Sequence, residues 1–390
     1  MDWILECSAA CGRTASPAGL PGTCPGCGQP WFVRYPARRP SLQQRADIRR
    51  RHGLWKWRAF LPIMPHEQPV SLGEGDTPLL RLRRTGERLG FSNLWLKDEG
   101  LNATGSFKAR GLSSAVTRAT LAGVTRFTLP TAGNAGVAAS AYASRAGAQA
   151  RVWAPRTTPR TILAQVLVYG GDLQLLDGHI GDCGKASRAW AAETGAYDIA
   201  TLREPYRVEG KKTMGLELAL DFDWTLPDVV IYPTGGGEGL IGMWKAFAEL
   251  REAGWVSGPL PRMVSVQSSG CAPVVRAFEA GADHAEPWAD PWTLASGLRV
   301  PGPLGDRLML RALRESGGAA VAIDDPVLLR HAREVSAAEG IDLSPEGGAA
   351  IAAAIALRER GLLHAHERIV LFNTGAGWLY REAQDLLGAP

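Results

Sequence analysis

Residues 228–247 read DVVIYPTGGGEGLIGMWKAF, and this stretch decides the fold. An apolar run from Val229 to Tyr232 ends at Pro233. Gly235, Gly236, Gly237 and Gly239 follow, and then Leu240, Met243, Trp244 and Phe247 recur at helical spacing. A short run with no polar alternation is what a strand buried on both faces looks like, and strand, glycine turn and amphipathic helix form the unit of a parallel α/β sheet. Glycines allow positive φ and close backbone approach, and the helix start offers free N–H groups, so the turn predicts a phosphate cup. A bare strand-to-helix turn does not need four glycines in five residues.

Gly237, Gly239 and Gly242 also satisfy GxGxxG, which raises a dinucleotide site as a rival. That fingerprint needs an acidic residue about 20 positions on, at the end of the next strand. The next strand ends in SVQSSG, with Gln267 and Ser268. The rival lacks its second element, and a compact phosphate ester remains.

Outward from the cup, further strand candidates lie at 93–97, 126–130, 150–154, 172–176, 263–267 and 368–372, with the cup strand itself at 228–233. They alternate with helix-like segments, among them EGGAAIAAAIALRERG at 346–361, and no internal repeat interrupts them. The 390 residues, 45% apolar and 21% charged with 46 glycines, suit a globular α/β chain of two or three domains. No apolar run reaches the roughly 18 residues of a membrane span. The start, MDWILECSAACG, lacks a secretory n-region and h-region, so the reading is cytoplasmic. A formal charge of +4 without a basic block argues against nucleic acid as partner and for a small substrate.

Cys7, Cys11, Cys24 and Cys27 form CxxxC and CxxC pairs separated by twelve residues, whereas Cys183 and Cys271 stand alone. Four thiolates on glycine-containing turns suit tetrahedral zinc better than disulfides in a cytosolic chain. A zinc-ribbon-like module over 1–35 is therefore expected. The Pro-, Arg- and Trp-rich segment after residue 36 reads as an arm on the body.

Two more turns carry chemistry. In LPTAGNAGVAAS, Thr131, Ala132, Gly133, Asn134 and Ala135 offer backbone N–H groups and one amide at a helix start, which suits a carboxylate beside a phenolic oxygen. In LFNTGAGWLY, Thr374 stands between small residues after a strand. Lys108, in ATGSFKARG at 103–111, sits at a helix start whose positive dipole end favours a neutral, nucleophilic amine.

Together these fragments resemble the threonine synthase group of the fold-type-II pyridoxal-phosphate enzymes. The resemblance rests on GSFKARG, GNAG, the glycine loop and NTGAG, and extends to GEGDTPLL at 73–80, KDEGLN at 97–102 and EPYRVEGKKTMGLEL at 204–218. It implies a tryptophan synthase β-like fold with two parallel-sheet domains: an arm and the first part of the large domain over 36–104, a small domain over 105–200, and the large domain over 201–390. It implies that Lys108 holds the cofactor aldehyde, Asn134 bonds its 3′-oxygen, Gly235, Gly236, Gly237, Glu238 and Gly239 cradle its phosphate, and Thr374 faces its ring nitrogen. Thr131, Ala132, Gly133 and Ala135 are expected around the substrate, and Arg207 and Lys211 around its distal phosphate. The activity implied is conversion of O-phospho-L-homoserine and water to threonine and phosphate, by a homodimer.

This chain departs from the pattern in carrying Glu204 before Pro205-Tyr206-Arg207 and Ala103 after Asn102. A carboxylate close to a phosphate is repulsive. Replacement or elimination on another amino acid, such as phosphoserine or a hydroxy amino acid, is the alternative enzyme reading. A pyridoxal-phosphate-binding regulatory protein without turnover is the non-enzyme one.

Overall fold

The computed structural model describes residues 2–36 and 40–385. Ala37, Arg38 and Arg39 of the expected arm, and the end of the expected large domain beyond 385, lie outside the described residues. Among the described residues no helix is long and apolar enough to cross a membrane.

Two parallel sheets carry the body. The larger has six strands in the spatial order Ala319–Ile323, Arg262–Ser268, Val229–Pro233, Ile369–Asn373, Leu94–Asp98 and Leu79–Arg81, the last being an antiparallel edge. The smaller has four parallel strands in the order Asp172–Leu176, Gln149–Pro155, Arg126–Pro130 and Tyr197–Asp198. The central strands of the large sheet are apolar on both faces because helices cover both. Val229 and Ile231 face a core built with the helix Pro345–Glu359, and Val230 and Tyr232 face a second core with the helices Tyr206–Asp221 and Glu238–Glu252. Ile369 and Leu371 alternate with Val370 and Phe372 in the same sense, as the two-residue period of a strand requires.

All seven strands read from the sequence are present. Ala319–Ile323 escaped that reading because AAVAI is short and alanine-rich.

The N-terminal module is a three-stranded antiparallel sheet, Thr14–Ala15, Ile4–Cys7 and Trp31–Arg34. Its Trp3, Leu5, Trp31 and Val33 pack on Ala115 and Tyr206 of the body. Tyr206 Oη donates to Pro17 O at 3.3 Å, and Tyr35 Oη donates to Glu209 Oε2 at 2.6 Å. The module is thus seated on the helix Tyr206–Asp221.

Candidate active site

The carboxyl ends of the strands in both sheets open on one cavity of about 670 Å³, the place where parallel sheets bind ligands. Lys108, Asn134, Thr374, the Thr131–Ala135 loop and the Gly235–Gly239 loop all line it.

Lys108 begins the helix Lys108–Leu121. The turn before it is stitched to the Thr374 turn: Phe107 N donates to Thr374 O at 3.2 Å and Ala376 N donates to Gly105 O at 2.8 Å. That pairing brings residues more than 260 positions apart into one wall. Burial, reinforced by the charges of Lys211 and Arg207, holds the Lys108 amine well below the ordinary lysine range, with Glu238 and Glu346 opposing. Burial and these two neighbouring cations add to the helix start read from the sequence.

The cup is closed by the protein's own atoms. Gly237 has φ +86°, and a Cβ there would also meet Met309 Sδ at 2.4 Å. A Cβ on Gly236 would meet Thr201 Cγ2 at 2.6 Å. The constraint at Gly236 is therefore the Thr201 wall, in addition to the approach of any phosphate.

Glu238, first residue of the helix after the cup, spends both oxygens. Oε1 accepts from Leu202 N at 3.1 Å, while Oε2 lies 3.1 Å from Lys211 Nζ and 3.0 Å from Arg207 Nη2. Burial pushes its carboxyl up, but Arg207 and Lys211 outweigh this and bring it down to about 2. Burial lowers Lys211 to about 8 despite Glu238.

The structure does not bring Arg207 and Lys211 to the cavity surface. Both are fully buried and neither lines the cavity. Arg207 Nη1 donates to Ile199 O at 2.7 Å, and its charge faces Glu238. They stand one layer behind the cup, because the carboxylate of the cup itself draws them in. Glu204 is explained locally: it accepts from Tyr206 N at 2.7 Å and Arg207 N at 2.9 Å, satisfying the first turn of the helix Tyr206–Asp221. Burial raises it to about 7, partly offset by Arg207.

The cavity's own cations are Arg188, Arg203 and Arg299. Arg299 Nη2 donates to Thr157 Oγ1 at 3.3 Å. Arg188 and Arg203 make no salt bridge among the described residues; burial raises the half-buried carboxyl of Asp198, and both arginines draw it back down.

In the other loop, Thr131 Oγ1 donates to Gly133 O at 2.8 Å and accepts from Gly133 N at 3.0 Å, which fixes the turn. Asn134 Nδ2 donates to Tyr380 Oη at 3.0 Å, and Asn134 Oδ1 has no hydrogen-bond partner among the described residues. Glu346, Ser296 and Tyr380 complete this wall. Sequence reasoning missed all three. A glutamate at a helix start in SPEGG and a tyrosine six residues past Thr374 were the only local signals.

The four N-terminal cysteines also converge. Their Sγ atoms all lie within 4.8 Å of one another, with Cys7–Cys27 at 3.3 Å and Cys11–Cys24 at 3.7 Å.

A family model described as pyridoxal-phosphate dependent enzyme matches residues 70–375. The threonine synthase of Methanocaldococcus jannaschii is 34% identical over 330 residues, covering 84% of this chain and 81% of that one. The threonine synthase of Mycobacterium tuberculosis is 32% identical over 322 residues, covering 82% and 86%. Among solved structures, threonine deaminase isoform 2 from Solanum lycopersicum superposes with a TM-score of 0.67 at 21% identity, covering 89% of this chain and 93% of that one. O-ureido-L-serine synthase superposes with a TM-score of 0.68 at 22% identity, covering 84% and 97%. These define the class: a pyridoxal-phosphate-dependent enzyme of fold type II. Within that class the chain belongs to the threonine synthase group.

The residues present fit the cofactor. The cup is bare backbone at a helix start, the Lys108 amine on the cavity wall is held well below the ordinary lysine range, and the buried amide oxygen of the cavity-lining Asn134 has no partner among the described residues.

Proposed function

We propose that this chain is a threonine synthase: it converts O-phospho-L-homoserine and water to L-threonine and phosphate. The observation that carries this reading is Lys108 on the wall of a cavity that also holds two arginines, Arg188 and Arg203, without salt bridges among the described residues. Bound in the cup, pyridoxal phosphate supplies the electron sink for charge left on the substrate Cα. Lys108 would hold the cofactor aldehyde, and its amine, when free, is placed to take the substrate Cα proton. The Thr131–Ala135 loop presents its N–H groups to the substrate carboxylate, and the Asn134 amide and the Thr374 hydroxyl contact the ring. Arg203 and Arg188 take the distal phosphate in place of Arg207 and Lys211, whose charges Glu238 absorbs.

The engagement of Arg207 by Glu238 also favours the second reading, in which another amino acid undergoes replacement or elimination. Offering O-phosphohomoserine, phosphoserine, threonine and serine in parallel separates the two. Equal amounts of phosphate and threonine from O-phosphohomoserine are expected. Ammonia from serine or threonine, with no phosphate released from O-phosphohomoserine, overturns the first reading. Binding of cofactor with no turnover of any of the four points to the regulatory reading.

We assign the N-terminal cysteines to one structural zinc. A tetrahedral Zn–S bond of about 2.3 Å places sulfurs roughly 3.8 Å apart, close to the spacing of the four Sγ atoms. A homodimer in the cytoplasm completes the reading.

A further inference from the structure

The arginines that line the cavity differ in how far they are withdrawn from water. Arg188 is exposed and Arg203 half-buried, whereas Arg299 is only 9% exposed. A cation taken that far out of water calls for an anion beside it. Arg299 makes no salt bridge among the described residues, and the ionisable side chain that acts on it is Cys271, whose thiol burial pushes up to about 11 and so keeps neutral. Its guanidinium lies over the Trp292 ring at 5.5 Å, and Nη2 donates to Thr157 Oγ1 at 3.3 Å. Nε and Nη1 make no hydrogen bond among the described residues, yet they are not shut away as Nε and Nη2 of Arg207 are. Donors on a buried cation thus remain open to the cavity.

The order of the smaller sheet says which part of a ligand those donors meet. Its strand Arg126–Pro130 lies between Gln149–Pro155 and Tyr197–Asp198. The Thr131–Ala135 loop follows the middle strand, Thr157 follows one neighbour, and Arg203 follows the other. With strands about 4.8 Å apart, the segments that lead to Thr157 and Arg203 leave the sheet roughly 10 Å apart, on opposite sides of the loop. Arg188 belongs with Arg203, since both draw on Asp198. Arg299 belongs with the loop, because it shares a small side cleft with Ala132, Thr157 and His179. Its backbone comes from the other sheet, where Gly297 and Val300 stand against Gly235 of the cup. The side chain therefore spans the cavity.

We propose that Arg299 is a substrate-binding residue for the α-carboxylate: its open donors join the N–H groups of the Thr131–Ala135 loop at one end of the amino acid, while Arg188 and Arg203 hold the other end. Two separated cationic poles select an amino acid with a second negative group far from its carboxylate, and they fix which end points which way. The proposal rests on the function proposed above.

The test uses whole protein loaded with pyridoxal phosphate, titrated by calorimetry with two partial substrates. L-2-Aminobutyrate carries the carboxylate without a phosphate, and 3-aminopropyl phosphate carries the phosphate without a carboxylate. Arg299→Gln should weaken 2-aminobutyrate by roughly 10- to 100-fold and leave 3-aminopropyl phosphate and cofactor uptake within about twofold of wild type. Arg203→Ala should weaken the phosphate ligand instead. Equal weakening of both ligands by Arg299→Gln marks a merely structural role, and weakening of the same ligand by both variants puts the two arginines at one pole; either result overturns the proposal, as does unchanged affinity for 2-aminobutyrate. If Arg299→Gln fails to fold, Arg299→Lys, which keeps the charge and loses the planar fork, decides: a drop of about three- to tenfold for 2-aminobutyrate alone is expected, and no drop overturns the assignment. Wild type that takes up no pyridoxal phosphate overturns the proposed function and Arg299 with it, whereas cofactor uptake with no ligand-selective loss sinks Arg299 alone.

Discussion

Two arginines, both fully buried, end up in opposite circumstances. Arg110 has its guanidinium saturated: Nε donates to Glu99 at 2.8 Å, Nη1 to Thr213 at 3.0 Å and Glu217 at 2.6 Å, and Nη2 to Thr77 at 3.0 Å and Glu99 at 2.7 Å. Lys97 closes the cluster with Glu217 at 3.0 Å and Asp221 at 2.8 Å. Arg207 is different. It has one good hydrogen bond, and its Nε and Nη2 form none among the described residues, although Nη2 is close to Glu238. The first cluster ties together Thr77 just before the edge strand, the strand Leu94–Asp98 with Glu99 after it, the helix of Lys108 and the helix Tyr206–Asp221, and is finished. The second lies directly behind the cup and is left incomplete. Polar groups left unsatisfied in a native interior concentrate where a ligand completes them.

The sharpest break in that comparison is at the lysine. Lys108→Ala should lower turnover by roughly three orders of magnitude or more and abolish the cofactor adduct that borohydride fixes in wild type, as mass spectrometry of the reduced protein would read. A fixed adduct at the same peptide in the variant would remove Lys108 from the reaction.

Next come the two clusters themselves. Glu217→Gln and Glu238→Gln each leave buried cations uncompensated, a loss of about 3–5 kcal/mol. Pyridoxal phosphate should return a larger share of stability to Glu238→Gln, because its anion in the cup lies one layer from the uncompensated Arg207 and Lys211, and no more to Glu217→Gln than to wild type. Thermal melts with and without cofactor check this. Equal recovery in both would mean that the second cluster is as closed as the first.

A smaller effect is expected at the cavity wall. Arg203→Ala should reduce kcat/KM for O-phosphohomoserine by about 10- to 100-fold and leave slow reactions of serine nearly unchanged. Equal losses on both would return the phosphate to another residue.

A further check is the response to acid. Glu238 is held below its unfolded value, so its contribution is present above about pH 4.5 and is lost as pH falls toward 2, on the order of 3 kcal/mol. Glu204 runs the other way: raised to about 7, it costs stability as pH rises from 4.5 to 7. Glu204→Gln should flatten the neutral side of the melting profile and leave the acid limb intact.

What could be read in advance follows from locality. The strands and the four turns that carry Lys108, Asn134, the glycines and Thr374 announce themselves within ten residues, by apolar runs and by glycine or hydroxyl groups after them. Arg207 was legible as a cation but its partner was not, because Glu238 lies 31 positions on and meets it only when the two helices pack. Glu346 and Tyr380 were illegible for the same reason: each looks like an ordinary helix-start acid or a terminal aromatic until the Pro345–Glu359 helix and the Thr374 turn converge. Arg188 sits on the exposed face of the helix Ile180–Thr194 and reads as solvated.

The stitch between the Lys108 turn and the Thr374 turn also fixes an order in time. A ribosome delivers Gly105 and Phe107 early, yet the groups that pair with them, Thr374 and Ala376, emerge only when nearly the whole chain has been made. The four-stranded sheet, with all its strands between Arg126 and Asp198, can pair long before that, whereas the lysine waits without its wall. The wall around Lys108 is therefore complete only after residue 376 has been made, and a ribosome stalled before residue 374 carries the Lys108 segment without the turn it pairs with.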